Sequence, residues 1–243
     1  MLKQTRLDLN RTLQQGANVF VYIIRHGQSV NNAKSPEARH IPDAPLTEQG
    51  HKQAVLAAEY LANEGITHLY CSPMQRTLQT AEPIAKALGL APEVWPDICE
   101  HGGAAYMRAE DDWVNLPGMT RSEMLARFAN YHLPDTVTEE GWWKHNDGSE
   151  SRELCYKRGS KVAEALAQRA ESGPDDVLAL VTHGTFSDAL IRGIFRFPAD
   201  ESTFFIHQNT GITKISYPCL GAEWQSIALI YHNRVEHLPP ELR

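Results

Sequence analysis

Three short stretches of the chain put histidine or arginine where a run of apolar residues ends. The first is Ile24-Arg25-His26-Gly27-Gln28-Ser29, with Asn31 and Asn32 close behind. The second is Ser72-Pro73-Met74-Gln75-Arg76, after the run Ile66 to Cys71. The third is Val181-Thr182-His183-Gly184-Thr185. A neutral imidazole is a competent nucleophile near neutral pH. A guanidinium presents a fixed fork of donors that suits phosphate oxygens. Gly27 lets the backbone turn sharply and come close to a ligand. Arg76 falls in the first turn of an expected helix, where free N–H groups and the positive end of the helix dipole favour an anion over a cation. An arginine there makes sense if it faces a bound anion. His183 can donate to a phosphoryl oxygen if its proton is on the correct nitrogen. Each stretch alone also fits an ordinary loop or surface residue. Together they suit phosphoryl transfer, which needs in-line positioning and dispersed positive charge.

The elements that must position these residues follow from periodicity. Residues 19–24 are apolar on both parities, which predicts a strand covered on two faces. Thr47 to about Glu64 reads as a helix with Thr47 as N-cap. Ile66 to Cys71 is a second strand. Ser72-Pro73-Met74-Gln75 predicts a helix start, with a Ser N-cap, Pro at the first helical position and Gln three residues after the cap. That helix runs to about Leu88. Ser149 to Ala170 is a further helix, with Leu154, Val162 and Leu166 on its buried side. Asp176 to Val181 is strand, Thr185 to Phe195 helix, and 211–217 with 224–231 a closing antiparallel pair. Such alternation predicts an α/β fold, a three-layer α/β/α sandwich on a mixed, mostly parallel sheet of about six strands. Ligands of such sheets bind beyond the carboxyl ends of the strands, where all three stretches fall. Residues 1–18 read as a polar leader and 19–243 as a single domain. Residues 101–147, with three tryptophans, break the pattern and predict a lid-like insertion over a sheet edge.

The three stretches resemble the histidine phosphatase superfamily, also called the phosphoglycerate mutase-like family. The match rests on Arg25-His26-Gly27 after the first strand, on Ser72, Pro73, Arg76, Thr80 and Ala81, and on the late His183-Gly184. It extends to Pro45-Leu46-Thr47-Glu48-Gln49-Gly50, Gly148-Ser149-Glu150 and Asn209 to Ile212. It covers roughly residues 19–230, with 101–147 the least matched. The resemblance implies that His26 attacks phosphorus and becomes phosphohistidine. Arg25, Arg76 and His183 would hold the phosphoryl oxygens, with Asn32 as a helper. Gln28 stands where the family varies among polar residues and would bear on substrate choice. The family carries an acidic residue near a Gly-Gly, which makes Glu100, in Ile98-Cys99-Glu100-His101-Gly102-Gly103, the expected proton donor, with Asp97 and Glu110 behind it. Trp142-Trp143 is either packing or a substrate-facing wall. No metal or organic cofactor is implied, and the expected partner is a small phosphorylated substrate. The expected activity is hydrolysis of a phosphate monoester. A mutase is the first alternative, although His101-Gly102-Gly103-Ala104-Ala105 lacks the basic and aromatic segment of the family's mutases. A catalytically silent phospho-ligand binding module is the second, and it would have no need of a nucleophile.

Composition narrows the setting. The 243 residues carry a formal net charge of −7, which argues against nonspecific nucleic-acid binding but not against a locally cationic pocket. No apolar run approaches the ~20 residues of a membrane helix, and no secretory signal is expected at the start. Cys71, Cys99, Cys155 and Cys219 form no Cys-x-x-Cys pair. They are expected to be reduced, in a cytoplasmic protein. The other histidines, including His132, His145, His207, His232 and His237, lack metal-ligand spacing. Nothing in the sequence specifies an oligomeric state.

Overall fold

The computed structural model describes residues 18–33, 40–109, 112–143, 150–172, 176–198, 202–218 and 226–243. The leader expected at 1–18 lies outside them except for Asn18, which opens β1 (Asn18–Arg25). Then follow α1 (Glu48–Leu61), β2 (His68–Cys71), α2 (Gln75–Leu88) and β3 (Glu93–Val94). Next come β4 (Ala105–Ala109), β5 (Asp112–Asn115), α3 (Arg121–Arg127) and α4 (Arg152–Ser172). The chain closes with β6 (Val177–Thr182), α5 (Gly184–Phe195), β7 (Ile212–Pro218) and β8 (Ala228–Arg234).

Six strands form one sheet in the order β3-β2-β6-β1-β7-β8. β3, β2, β6 and β1 pair in parallel, β7 is antiparallel to β1, and β8 is antiparallel to β7. Only β7 therefore runs against the others, and the sheet is mixed and mostly parallel. Alternate residues of β1 explain why its sequence is apolar on both parities. Tyr22 and Ile24 enter a core with Leu61, Leu78 and Ile84 of α1 and α2. Val19, Val21 and Ile23 enter the opposite core with Val162 and Leu166 of α4 and Leu190 of α5. Helices thus cover both faces, giving three layers. Among the described residues no helix is long and apolar enough to cross a membrane.

The register levels the strand ends. Arg25 lies opposite Thr182, and Cys71 opposite Val181. The chain leaves β1 toward the α1/α2 face and leaves β6 toward the α4/α5 face. That divergence opens a crevice at the carboxyl ends of the two neighbouring strands.

Two local expectations need correction. Ser72 is not the N-cap of α2. The helix begins at Gln75 with Met74 at the cap, and the Gln75 N–H is taken instead by Asp43 Oδ1 at 2.9 Å. The Ser72 hydroxyl is engaged by His183, as described below. Leu154 is exposed, and the buried stripe of α4 runs through Cys155, Tyr156, Val162 and Leu166. Within the stretch expected as an insertion, His132 pairs alongside Glu93 of the edge strand β3. Part of it packs in the core, where Ala104, Met124, Phe128, Val137 and Trp142 join the α1/α2 face, while His101, Gly103 and Ala105 line the cavity described below. Residues 110, 111 and 144–147 of that stretch, Glu110 among them, lie outside the described residues.

The loop after β1 is held by contact between two backbones. A Cβ on Gly27 would stand 2.5 Å from the Gly50 carbonyl oxygen, and one on Gly50 would stand 2.1 Å from that of Gln28. Gln53 of α1 adds a bridge: its Oε1 accepts from the Gln28 N–H at 2.7 Å, and its Nε2 donates to the Leu242 carbonyl at 2.7 Å. Gly50→Ala should therefore push the His26 loop off α1 and lower stability by about 1–3 kcal/mol, the usual range for overpacking. Urea denaturation measures this, and an unchanged midpoint would show that the contact has slack.

Candidate active site

His26 is the first residue past β1, and its N–H donates to the Thr182 carbonyl of β6 at 2.9 Å. The side chain is 3% exposed. Its Nδ1 lies 2.7 Å from the Gly27 carbonyl oxygen. A carbonyl can only accept, so Nδ1 carries the proton and Nε2 keeps its lone pair. Arg76 Nε donates to that Nε2 at 3.1 Å. The neutral tautomer thus presents Nε2 toward a guanidinium, where an anion would bind.

Arg76 stands in the first turn of α2, and its Nη2 lies 3.2 Å from Met74 Sδ. Arg25 ends β1 with Nη1 donating to the His207 carbonyl at 2.6 Å, while its Nε is buried without a protein partner. Burial lowers the pKa of both arginines from the ordinary value. Glu100 opposes this at Arg25, and Asp43 and Glu100 oppose it at Arg76. His183 is fully buried beside His26, with the ring centroids 5.2 Å apart edge to face. Its Nε2 lies 2.7 Å from Ser72 Oγ, and its Nδ1 has no protein partner.

Glu100 enters from the loop after β3. One carboxylate oxygen accepts from the N–H of His101 at 2.9 Å and of Phe186 at 3.0 Å, and the other from the N–H of Thr185 at 3.4 Å. The carboxylate therefore seats on the N-terminus of α5, the helix that begins right after His183. Arg25, His26, Asn32, Arg76 and Glu100 all line one cavity of about 220 Å³. Asn32 Oδ1 is occupied, accepting from the Ser29 N–H and hydroxyl at 3.1 and 3.0 Å.

Two expected substrate contacts do not reach this cavity. Gln28 turns to the start of α1, where its Oε1 accepts from the Thr47 hydroxyl at 2.8 Å. Trp142 is buried with its indole against Gly118. Trp143 meets the cavity only indirectly, since its ring covers Gly103, which lines the wall. All three sit where neighbouring backbone leaves their side chains another surface to pack on.

Other residues at the site were given no role by the sequence. Asp43 lines the cavity in a left-handed conformation (φ 41°), and burial raises its pKa, opposed by Arg76. Asn209 Nδ2 donates to the His26 carbonyl at 3.1 Å and to Asn32 Oδ1 at 3.3 Å. Cys71, Cys99 and Cys155 are free and buried, and burial pushes the thiols up, that of Cys99 to about 12. Cys219 lies outside the described residues. Among the described residues, no group of three or more His, Cys, Asp or Glu is gathered as a metal ion would require.

Comparison with known proteins adds to this geometry. The family model for the histidine phosphatase superfamily (branch 1) matches residues 21–228. A curated relative from Yersinia pestis (strain Pestoides F), named "Probable phosphoglycerate mutase GpmB", is 30% identical over 211 residues, covering 84% of this chain and 89% of its own. A mycobacterial glucosyl-3-phosphoglycerate phosphatase structure aligns with a TM-score of 0.58 at 24% identity, over 89% of this chain and 99% of that one. A phosphoserine phosphatase mutant from Entamoeba histolytica, in complex with phosphoserine, aligns with a TM-score of 0.61 at 19% identity, over 91% of this chain and 100% of that one. At these identities the structural likeness is one of fold.

The site has a definite acid–base character. Burial first, then the charges of Arg76 and Arg25, hold the His26 pKa well below the ordinary histidine value. Burial and Arg76 do the same for His183. Both rings should stay neutral at pH 5.5, as an imidazole NMR titration can measure. A His26 resonance titrating near 6.5 would overturn the buried neutral assignment. In sign, the unfolded chain binds these protons below its ordinary pKa of ~6.5 and the folded chain does not, so these groups reduce stability as pH falls below that value.

Proposed function

The chain belongs to the histidine phosphatase superfamily, and from that premise we propose that it hydrolyses a small phosphate monoester through a phosphohistidine at His26. The observation that carries this reading is the His26 imidazole itself. Its Nδ1 proton is fixed on the Gly27 carbonyl at 2.7 Å and its Nε2 lone pair points to Arg76 at 3.1 Å. A phosphoryl group entering the cavity takes over the Arg76 Nε–H, which frees Nε2 to attack phosphorus in line. The Nε2–P bond forms as the P–O bond to the alcohol breaks.

Arg76 and Arg25 offer fixed donors to the equatorial oxygens, in a site where low dielectric strengthens each of them. In this reading the Ser72 hydroxyl donates to His183 Nε2, 2.7 Å away, while its oxygen accepts from the Met74 N–H at 3.5 Å. His183 then holds its proton on Nδ1, ready for a phosphoryl oxygen. Protonated Glu100 gives its proton to the departing alkoxide. In the second step the same carboxylate takes a proton from water, water oxygen bonds to phosphorus, and the P–Nε2 bond breaks. The 220 Å³ cavity supports a small ester.

A mutase is the second reading, favoured by the name of the Yersinia relative. It would return the phosphoryl group to a sugar acid instead of to water. The segment His101-Gly102-Gly103-Ala104-Ala105 supports hydrolysis, because it adds neither lysine nor arginine to grip a second anionic group. A silent binding module is disfavoured by a nucleophile held in its reactive tautomer.

Brief mixing with ³²P-labelled ester and denaturation without acid should trap label on His26, and His26→Ala should abolish trapping. Label stable to acid and labile to alkali would point to an ester intermediate and sink the mechanism. With turnover, the label should appear as inorganic phosphate. Its transfer to an added sugar-acid acceptor at a rate matching substrate consumption would establish the mutase instead.

A further inference from the structure

We propose that Arg158, locked by Glu150, is the positioning residue that holds Glu100 in place to deliver its proton. This rests on the reading of Glu100 as the proton donor. Glu100 follows a 3-10 turn (Pro96–Ile98) and Cys99; the Ile98 carbonyl accepts from the Thr182 hydroxyl of β6 at 2.7 Å and the Glu100 carbonyl from the Gly103 N–H at 2.9 Å. One guanidinium holds the carbonyls on either side of Ile98 and reaches that of Glu100. Arg158 Nη1 donates to the carbonyls of Asp97 and Cys99, both at 2.8 Å, and Nη2 donates to that of Glu100 at 3.4 Å. The same side chain grips Glu150 with two bonds, Nε to Oε1 at 2.8 Å and Nη2 to Oε2 at 2.6 Å. Glu150 Oε2 also accepts from the Gly102 N–H at 3.3 Å. The backbone is therefore tied at 97, 99 and 100 on one side of the acid and at 102 on the other, by a single buried ion pair.

The pair also reaches the far end of the Glu100 carboxylate. The Arg158 guanidinium lies 4.6 Å over the Phe186 ring, and the Phe186 N–H is the donor that holds Glu100 Oε1 at 3.0 Å. Arg158 thus contacts both the backbone that carries the carboxylate and the residue that receives it. A buried ion pair on its own is weak evidence for stability, since desolvation offsets much of its attraction. Here the fork is aimed at carbonyls around one side chain. A lysine would keep the charge but not the five donors, so it would pair with Glu150 and release the loop.

The test is leaving-group dependence. A proton donor matters greatly for a basic alkoxide and little for a stabilised phenolate. Arg158→Lys in the full chain should slow single-turnover phosphorylation of His26 by propyl phosphate about 100-fold, the effect expected of an ångström-scale misplacement. Phosphorylation by 4-nitrophenyl phosphate should slow by less than about threefold. Glu150→Gln should show the same split, more weakly. Glu100→Gln is run alongside. If it shows the split and Arg158→Lys slows both esters equally, or neither, the positioning role is overturned and Glu100 keeps its own. If Glu100→Gln shows no split, the two readings fall together. Should Arg158→Lys fail to fold by circular dichroism, Glu150→Gln decides by the same criterion.

Discussion

The bond from His26 Nδ1–H to the Gly27 carbonyl is the interaction on which the site depends. It selects which ring nitrogen holds a lone pair, and with it the direction of attack. The carbonyl can serve only because the Gly27 backbone is immobilised. Its N–H donates to Thr80 Oγ of α2 at 3.0 Å, and its Cα rests against the Gly50 carbonyl of α1. A side chain at either glycine would separate the loop from the helix. The nucleophile is thus set by backbone packing between a strand end and two helices, before any charged group is considered.

Around that imidazole the protein gathers charge in a place poor in water. Arg25 and Arg76 are both buried enough to lower their pKa, and neither is paired by an ion pair among those of the described residues. Carboxylates sit near but do not neutralise them: Asp43 is tied to the start of α2 and Glu100 to the start of α5. Each acid is thereby engaged by backbone N–H groups at a helix start, and each guanidinium is left with donors to spare. Such a site is pre-organised for a phosphoryl group and costs stability in its absence, a balance common where function fixes polar groups in advance.

The α4/α5 layer serves the same end from the opposite face. His183 is positioned by the end of β6 and by Ser72 from the end of β2, while Glu100 closes over the first turn of α5. The loop after β3 is tied to α4 through Arg158 and Glu150. Nucleophile and carboxylate therefore rest on different helical layers, and the level register of β1, β6 and β2 brings them to one crevice.

What the sequence determined by itself was the scaffold and the positions at its strand ends. An apolar strand followed by Arg-His-Gly, Ser-Pro-x-x-Arg or His-Gly is a local pattern, and local patterns report strand, turn and helix because those are short-range structures. The α/β layering and the mostly parallel sheet followed from them. Tertiary structure decided what each polar side chain binds. Ser72 reads as a helix cap, yet its hydroxyl pairs with His183, 111 residues away. Gln28 reads as bearing on substrate choice, yet its side chain bonds Thr47, and of the two readings left open for Trp142 the structure shows packing, against Gly118. Asn209 fell in a matched stretch but its bond to His26, 183 residues away, did not show, and Arg158, 58 residues from Glu100, had no pattern to betray it. A hydrogen bond needs two groups within about 3 Å in a set geometry, and no spacing along the chain encodes that distance until the layers have closed.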